Sequence, residues 1–419
     1  MSIETIIDEI HARRIFDSRG FDTIEVEVYT YGGFGSAGAP AGKSTGKFEV
    51  VSYPDGGVSK AVKLVSKLVS PKLIGMNTDE QEAIDGLLCK IDGSPNLSKI
   101  GGNTSIAISL AVAEAAASSH EIPLFQHLGG VAVTELPHPL GNVLGGGKHA
   151  GGKAPDIQEF LAIPVKADSF TQAAESNILV HRSVRERIEA VDGSFTGGKG
   201  DEGAWAPNLG NEEALEIVCA SCEEVSSELG VEVRAALDVA SSSLWDAKTG
   251  KYIYARDGVS RDQGEQIEYI RGLVEKYSLA FVEDPLHEED FEGFAELCRG
   301  VKNCLVCGDD LFTTNIERLS RGIRLGSANS IIIKPNQIGT LTGALRAVKL
   351  AKSVGYVPVL SHRSGETVDV HPAHIAVGFG CPIIKVGVIG GERLAKINEL
   401  IRIEETLGSA AKLAELKVK

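Results

Sequence analysis

The chain comprises 419 residues, 43% hydrophobic and 24% charged, with a formal net charge of −15. A length of this order predicts a large domain beside a smaller one, with core enough to fold without disulfides. The acidic balance argues against nucleic acid and anionic membranes as partners, and no run of about 18 apolar residues predicts a membrane span.

In chain order, the N-terminal segment MSIETIIDEIHARR is charged throughout and lacks the apolar stretch of a secretion signal. With seven scattered cysteines, an odd number, it predicts reduced thiols in a cytoplasmic protein. From Thr23 to Tyr29 apolar and polar residues alternate, the pattern of a half-buried strand. The Gly-, Ala- and Ser-rich stretch from Gly32 to Gly46 reads as a long mobile loop. Within it AGAPAGKS (Ala37 to Ser44) approximates a phosphate-binding loop, but GKFEVVSY follows and reads as strand where that motif needs a helix. Lys43 is left as a cation able to reach a substrate anion when the loop closes. Segments 57–70, 79–90 and 105–119 show helical patterning. Residues 1–130 are thus expected to form a small α+β domain, and 131–419 a second, catalytic domain.

Past Pro137, short apolar runs ending in polar residues alternate with longer helical patterns: QEFLAI, VRAALDVA, LAFVEDP, CLVCGDD, SIIIKPNQ and YVPVLSHRSGE. This is the rhythm of a parallel β/α sheet. Asp238, Glu283, Asp309, Lys334 and Arg363 stand at the C-terminal ends of these runs. A sheet closed into a barrel would gather them on one face, whereas an open doubly wound sheet would spread them along an edge. A β/α barrel is therefore the expected architecture.

Three acidic strand ends, Asp238, Glu283 and Asp309, suit Mg²⁺, a hard cation that takes oxygen ligands. A single such acid reads as a helix cap or ion-pair partner; three on successive units point to a site. Lys334 places an amine beside them, and near cations its pKa is expected to fall so that it acts as a base. Arg363 and Ser364 offer a fork and a hydroxyl for phosphate, and Lys385 adds a cation. Glu159 and Glu202 lie outside the metal set; two close carboxyl groups share protons, so one can serve as general acid. Together these groups describe removal of a proton beside a carboxylate, stabilisation of the dianion by metal, and acid-assisted loss of hydroxide. Cys219/Cys222 and Cys304/Cys307 form CxxC pairs, yet one lies in a helical pattern and the other in a strand whose faces alternate, so buried structural thiols are expected. His371 and His374 are expected to be a satisfied or exposed pair on a helix. The glycines at 145–147 and 151–152 are read as loop flexibility near the site.

DSRG (17–20) with TIEVEV, GDE (200–202), ALDVA (236–240), VEDP (282–285), GDDLF (308–312), NQIGTL (336–341), HRSGET (362–367) and the ERLAK segment from Glu392 resemble the enolase family along nearly the whole chain. The resemblance implies a small N-terminal α+β domain on a modified β/α barrel whose second strand runs antiparallel. It implies reversible dehydration of 2-phosphoglycerate to phosphoenolpyruvate, with Lys334 as base and Glu202, assisted by Glu159, as acid. A lysine base working with magnesium is the general pattern of that superfamily. By the same resemblance Asp238, Glu283 and Asp309 hold one Mg²⁺, and Ser44 a second that arrives with substrate. Arg363 and Ser364 contact phosphate, Lys385 the substrate carboxylate, and His149, Gln158 and His362 also match active-site positions. A homodimer or larger homo-oligomer is implied. Departures from the family pattern are Phe21 and Asp22, Lys43 before Ser44, a segment from His149 to Glu159 one residue longer, Ala204 and Trp205, Pro335, and the KVG (385–387) and GER (391–393) triplets. The alternatives are a paralogue that dehydrates a related 2-phospho-3-hydroxy acid, or a non-catalytic binding role for the same scaffold. A racemase or sugar-acid dehydratase of the wider superfamily fits HRSGET and the Glu159/Glu202 pair less well.

Overall fold

A computed structural model describes residues 3–43 and 46–416. The N-terminal part opens with an antiparallel meander, β1 (Ile7–Phe16), β2 (Asp22–Thr30) and β3 (Phe34–Gly38). In β2, Ile24, Val26 and Val28 are wholly buried while Glu25 and Glu27 between them face Arg13 on β1, as the alternation predicts. Helices α1 (Gly57–Leu64), α2 (Gln81–Asp92) and α3 (Gly102–Ser119) follow. The Ala-rich α3 lies so close to the sheet that a Cβ on Gly35 would stand 2.1 Å from the Ala111 carbonyl oxygen. Glycine in β3 is what lets the two backbones approach.

Two expectations for this region are corrected. Residues 34–38 form β3 rather than the start of a loop, because the sheet and α3 bury Gly35, Ala37 and Gly38. The stretch GKFEVVSY is not a strand but a run of turns and bends. Its amides are claimed elsewhere: Val50 N–H donates to Gln337 O (3.0 Å) and Val51 N–H to Asn96 O (2.9 Å). With its donors so used, the β-prone segment has no neighbouring strand to join.

Eight strands then close a barrel: β4 (His138–Gly145), β5 (Glu159–Lys166), β6 (Glu232–Asp238), β7 (Phe281–Glu283), β8 (Leu305–Gly308), β9 (Ser330–Ile333), β10 (Val357–Ser361) and β11 (Ile383–Gly387). β5 is antiparallel to both neighbours, and the other barrel pairings are parallel. Leu161, Ala236, Phe281, Leu305, Ile332 and Val359 pack in the interior, so the barrel is a filled core rather than a pore. Helices α4 (Phe170–Val191), α5 (Asn211–Leu229), α6 (Gln263–Tyr277), α7 (Phe291–Gly300), α8 (Ile316–Leu325), α9 (Leu341–Ser353), α10 (His371–Gly378) and α11 (Gly391–Leu407) belong to this part.

The strand register positions the site. Asp238 is the cross-strand partner of both Glu159 and Glu283. Because β5 runs backwards, its first residue reaches the rim where its neighbours end. No helix among the described residues is long and apolar enough to cross a membrane. All seven cysteines are free thiols, with Cys222, Cys304 and Cys307 buried. His371 and His374 each face a carboxylate, Glu114 at 3.4 Å and Glu399 at 3.2 Å.

Candidate active site

At the rim, a cavity with about 350 Å³ of open space is lined by His149, Gln158, Glu159, Glu202, Asp238, Asp309, Lys334, His362, Arg363, Ser364 and Lys385, with Gly42 and Lys43 over it. Glu283 adjoins them through Lys385. Ser44 lies outside the described residues. All the other candidates read from the sequence are therefore drawn together.

Lys385 sits mid-strand in β11, with Nζ 2.8 Å from Asp238 Oδ2, 2.7 Å from Glu283 Oε2 and 3.2 Å from Glu159 Oε2. Burial pushes its amine down, but Asp238, Glu159 and Glu283 outweigh burial and hold it well above the ordinary lysine value. Lys334 precedes Pro335, and a residue before proline is confined to extended backbone; its φ of −124° and ψ of 100° comply. Thr314 Oγ1 accepts its N–H at 2.9 Å, and its Nζ contacts Asp309 Oδ2. Among the protein's own groups, burial pushes the Lys334 pKa down but the facing Asp309 carboxylate outweighs burial and raises it; the fall expected near cations concerns the metal-loaded site. Asp309 is in turn held low, since burial, which pushes it up, is outweighed by Lys334.

Glu202 hangs on one turn. Glu202 Oε2 accepts from Asn142 Nδ2 at 3.2 Å and lies 3.2 Å from His362 Nε2. His149 Nδ1 stands 3.1 Å from Glu159 Oε1 and 3.8 Å from Glu202 Oε1, bridging the two acids that were expected to share protons directly. Burial pushes Glu202 up, but His362 and His149 outweigh it and hold the carboxyl well below its usual range. The turn needs Gly203: its φ is +82°, and a Cβ there would stand 2.3 Å from Ile389 O.

Trp205 anchors the same turn. Its Nε1–H donates to His181 O (2.8 Å), and its ring lies 4.6 Å from the His181 ring. His181 Nε2 meets Gly203 O at 3.0 Å. Burial pushes the His181 pKa from 6.5 to about 4. A depressed histidine makes the unfolded chain the better proton binder between these values. Its contribution to stability is therefore complete above the unfolded value of 6.5 and is lost as pH falls towards about 4. His181→Gln is expected to remove about 3 kcal/mol of this pH-dependence. Urea midpoints of both proteins from pH 4.5 to 7 check it; parallel curves would contradict the assignment.

On the anion side, Arg363 donates from Nη1 to Asn336 Oδ1 (2.8 Å) and Glu49 Oε2 (3.1 Å), and from Nη2 to Glu49 Oε1 (3.1 Å). Ser364 Oγ accepts the Lys43 N–H at 2.8 Å, and Lys43 Nζ stands 2.8 Å from Asp201 Oδ2. Glu49, Asn142, Asn336 and Arg393 were not singled out from the sequence. Arg393 lay inside the ERLAK motif, which was a signal without a role. Glu49 carried none, because only the fold brings residue 49 to residue 363.

The donor set fits a hard divalent cation. Asp238, Glu283, Asp309 and Glu159 share the cations Lys385 and Lys334, with neutral or weakly charged partners besides (His149 at Glu159, Gln337 Nε2–H to Asp309 Oδ1 at 3.1 Å, Ala240 N–H to Asp238 Oδ1 at 3.0 Å), and Glu283 Oε1 is buried with no hydrogen-bond partner. Burial and the neighbouring Asp238 push Glu283 well above its usual range, and burial and Glu159 raise Asp238 despite Lys385. An uncompensated carboxylate cluster of this kind calls for further positive charge. Asp284 and Asp310 also crowd Asp309, with ligand atoms within 4.8 Å of one another. The Asp284 oxygens, however, accept the N–H groups of Asp309 (3.0 Å) and Asp310 (2.8 Å), so Asp284 clamps the turn.

Comparison with known proteins agrees with this geometry. The family model "Enolase, C-terminal TIM barrel domain" matches residues 133–419, and "Enolase, N-terminal domain" matches residues 7–128. The enolase of Methanosphaera stadtmanae is 56% identical over 406 residues, covering 97% of this chain and 98% of the relative. That of Methanothermobacter thermautotrophicus is 54% identical over 406 residues, covering 97% and 98%. That of Pyrobaculum aerophilum is 48% identical over 418 residues, covering 98% and 99%. Barrel, capping sheet, site and relatives converge, and the chain belongs to the enolase family.

Proposed function

We propose that Lys334 removes the proton beside the substrate carboxylate and that Glu202, assisted by Glu159, supplies the proton with which hydroxide leaves, having first taken one up, since His362 and His149 favour its carboxylate. The reaction is that of the family, the reversible dehydration of 2-phosphoglycerate to phosphoenolpyruvate, and the chain is a carbon–oxygen lyase. One observation carries the reading: a lysine, three strand-end carboxylates and an Arg–Ser anion fork line one rim cavity or abut it. Asp238, Glu283 and Asp309 would hold one Mg²⁺, and Ser44 a second that arrives with substrate. When bound, the metal supplies positive charge to the substrate carboxylate as its dianion forms. Arg363 and Lys385 favour the neutral, proton-accepting form of Lys334. Arg363 and Ser364 orient the phosphate, with Lys385 directed to the carboxylate and His149, Gln158 and His362 lining the same cavity.

Lys43, whose amine meets Asp201 across the cavity mouth, tethers the loop to the Glu202 turn. The pair is partly exposed, so Lys43→Ala is expected to raise KM by no more than about fivefold, with kcat little changed. A selective loss of kcat in steady-state assays would contradict a tethering role.

The boundary at residues 130 and 131 falls between a helix ending at Gly129 and a strand starting at Glu135, which supports a capping domain on a catalytic barrel. A homodimer or larger assembly is supported by Phe16, Tyr31 and Phe34, exposed on the N-terminal sheet and its turn. A cytoplasmic location is supported by the free thiols.

Steady-state conversion of 2-phosphoglycerate by the purified protein tests the reading. Turnover of roughly 1–1,000 per second, abolished by a chelator and restored by Mg²⁺, is the expected result. A folded, Mg²⁺-binding protein without that turnover would point to a paralogue acting on another 2-phospho acid.

A further inference from the structure

Arg393, near the start of α11, is wholly buried yet touches no substrate-facing carboxylate of the rim. Its Nη1 donates to His362 Nδ1 at 2.8 Å and to the Arg363 carbonyl at 2.7 Å. Its Nη2 donates to the Ser364 carbonyl at 2.6 Å and the Asp201 carbonyl at 3.2 Å. One guanidinium therefore grips both the anion-binding loop after β10 and the turn that carries Glu202. The close fit depends on Gly387, where a Cβ would stand 2.3 Å from Glu202 O and 3.0 Å from Arg393 Cγ.

The contact to His362 has a definite consequence for the ring. A guanidinium has donors only and does not lose a proton in proteins. The Gly387 N–H also points at Nδ1, at 3.4 Å. With two donors aimed at it, Nδ1 must present its lone pair, so the ring is neutral and its one proton is assigned to Nε2. Nε2 is buried, has no aligned hydrogen-bond partner, and lies 3.2 Å from Glu202 Oε2. An N–H on Nε2, 3.2 Å from that oxygen, stabilises by its positive end the carboxylate that remains after Glu202 has given up its proton. The opposite tautomer would present a lone pair to Glu202, favour its protonated form and oppose that step.

We propose that Arg393 is a positioning residue that fixes the tautomer of His362 and keeps the Arg363–Ser364 loop in register with the Asp201–Glu202 turn. The consequence for catalysis rests on the roles given to Glu202 and Arg363 above; the tautomer itself does not. The fork is required, because an ammonium is a point charge and cannot serve two loops and a ring in one plane.

Long-range proton–nitrogen NMR on the full-length protein with ¹⁵N-labelled histidine reads the tautomer, with His362→Gln identifying the signal. At about pH 6, where an ordinary histidine is largely protonated, His362 is expected as the neutral Nε2–H form. Imidazolium or the Nδ1–H form in the wild-type protein would overturn the proposal, whatever the variants do. Arg393→Lys and Arg393→Met are expected to populate the Nδ1–H form and to lower kcat by about 100-fold, with Mg²⁺ affinity unchanged. Variants that keep the pure Nε2–H pattern, with kcat within about threefold of wild type, would also overturn it. Absence of 2-phosphoglycerate turnover in the wild-type protein would sink the catalytic reading alone and leave the NMR result standing.

Discussion

Lys334→Ala is expected to lower kcat for 2-phosphoglycerate by about 10²–10⁴-fold, the range that general-base catalysis commonly supplies. The lysine is the amine in contact with Asp309, and Pro335 and Thr314 fix its backbone so that the side chain enters the cavity. Alanine removes the proton acceptor without touching Asp238 or Glu283. It also removes the ammonium that competes for Asp309, so Mg²⁺ is expected to bind the variant at least as tightly as the wild type. Calorimetric Mg²⁺ titration alongside turnover separates the two effects. Near-wild-type turnover would refute the base assignment; loss of turnover together with loss of Mg²⁺ binding would make Lys334 a structural element of the carboxylate cluster.

Lys385→Met has the larger expected effect on stability. Lys385 is 3% exposed, and its amine is the cation closest to Asp238 and Glu283, within 2.8 Å of each. Its loss leaves buried carboxylates without their partner, a change that typically costs about 3–5 kcal/mol. The cost is expected to be full in chelator and partly offset by Mg²⁺, since a cation held by Asp238, Glu283 and Asp309 would supply charge to the same carboxylates. Denaturant unfolding in chelator and in Mg²⁺ reads both quantities. If Mg²⁺ stabilises variant and wild type equally, the lysine and the metal do not share these carboxylates. A variant as stable as the wild type in chelator would mean that the carboxylates protonate at little cost.

These expectations rest on unequal foundations. Asp238, Glu283, Asp309 and Lys334 were legible because each ends a short apolar run, and a strand end in a barrel has one destination. β2 was legible from its alternation, and α3 from its length and Ala-rich pattern. The segment 46–53 misled, because its β-prone residues bond to Gln337 and Asn96 instead of to a strand. Lys334 was placed beside the acids from the sequence; that Asp309 is the one its amine meets came only from the fold.

The sequence alone determined the chemical inventory and its order along the chain, because residue type and local periodicity are local properties. It marked out the barrel rhythm, the acidic strand ends, the lysine beside them and, as a departure from the family pattern, the tryptophan that follows Glu202. Only the tertiary structure decided the contacts between residues far apart in the chain. Closure set Glu159, Asp238 and Glu283 side by side through an antiparallel strand. It also carried Glu49 to Arg363 and let Arg393 fix His362 while holding two loops. Tautomers and pKa directions follow from such neighbours, because electrostatic forces depend on distance in space and not on separation in sequence.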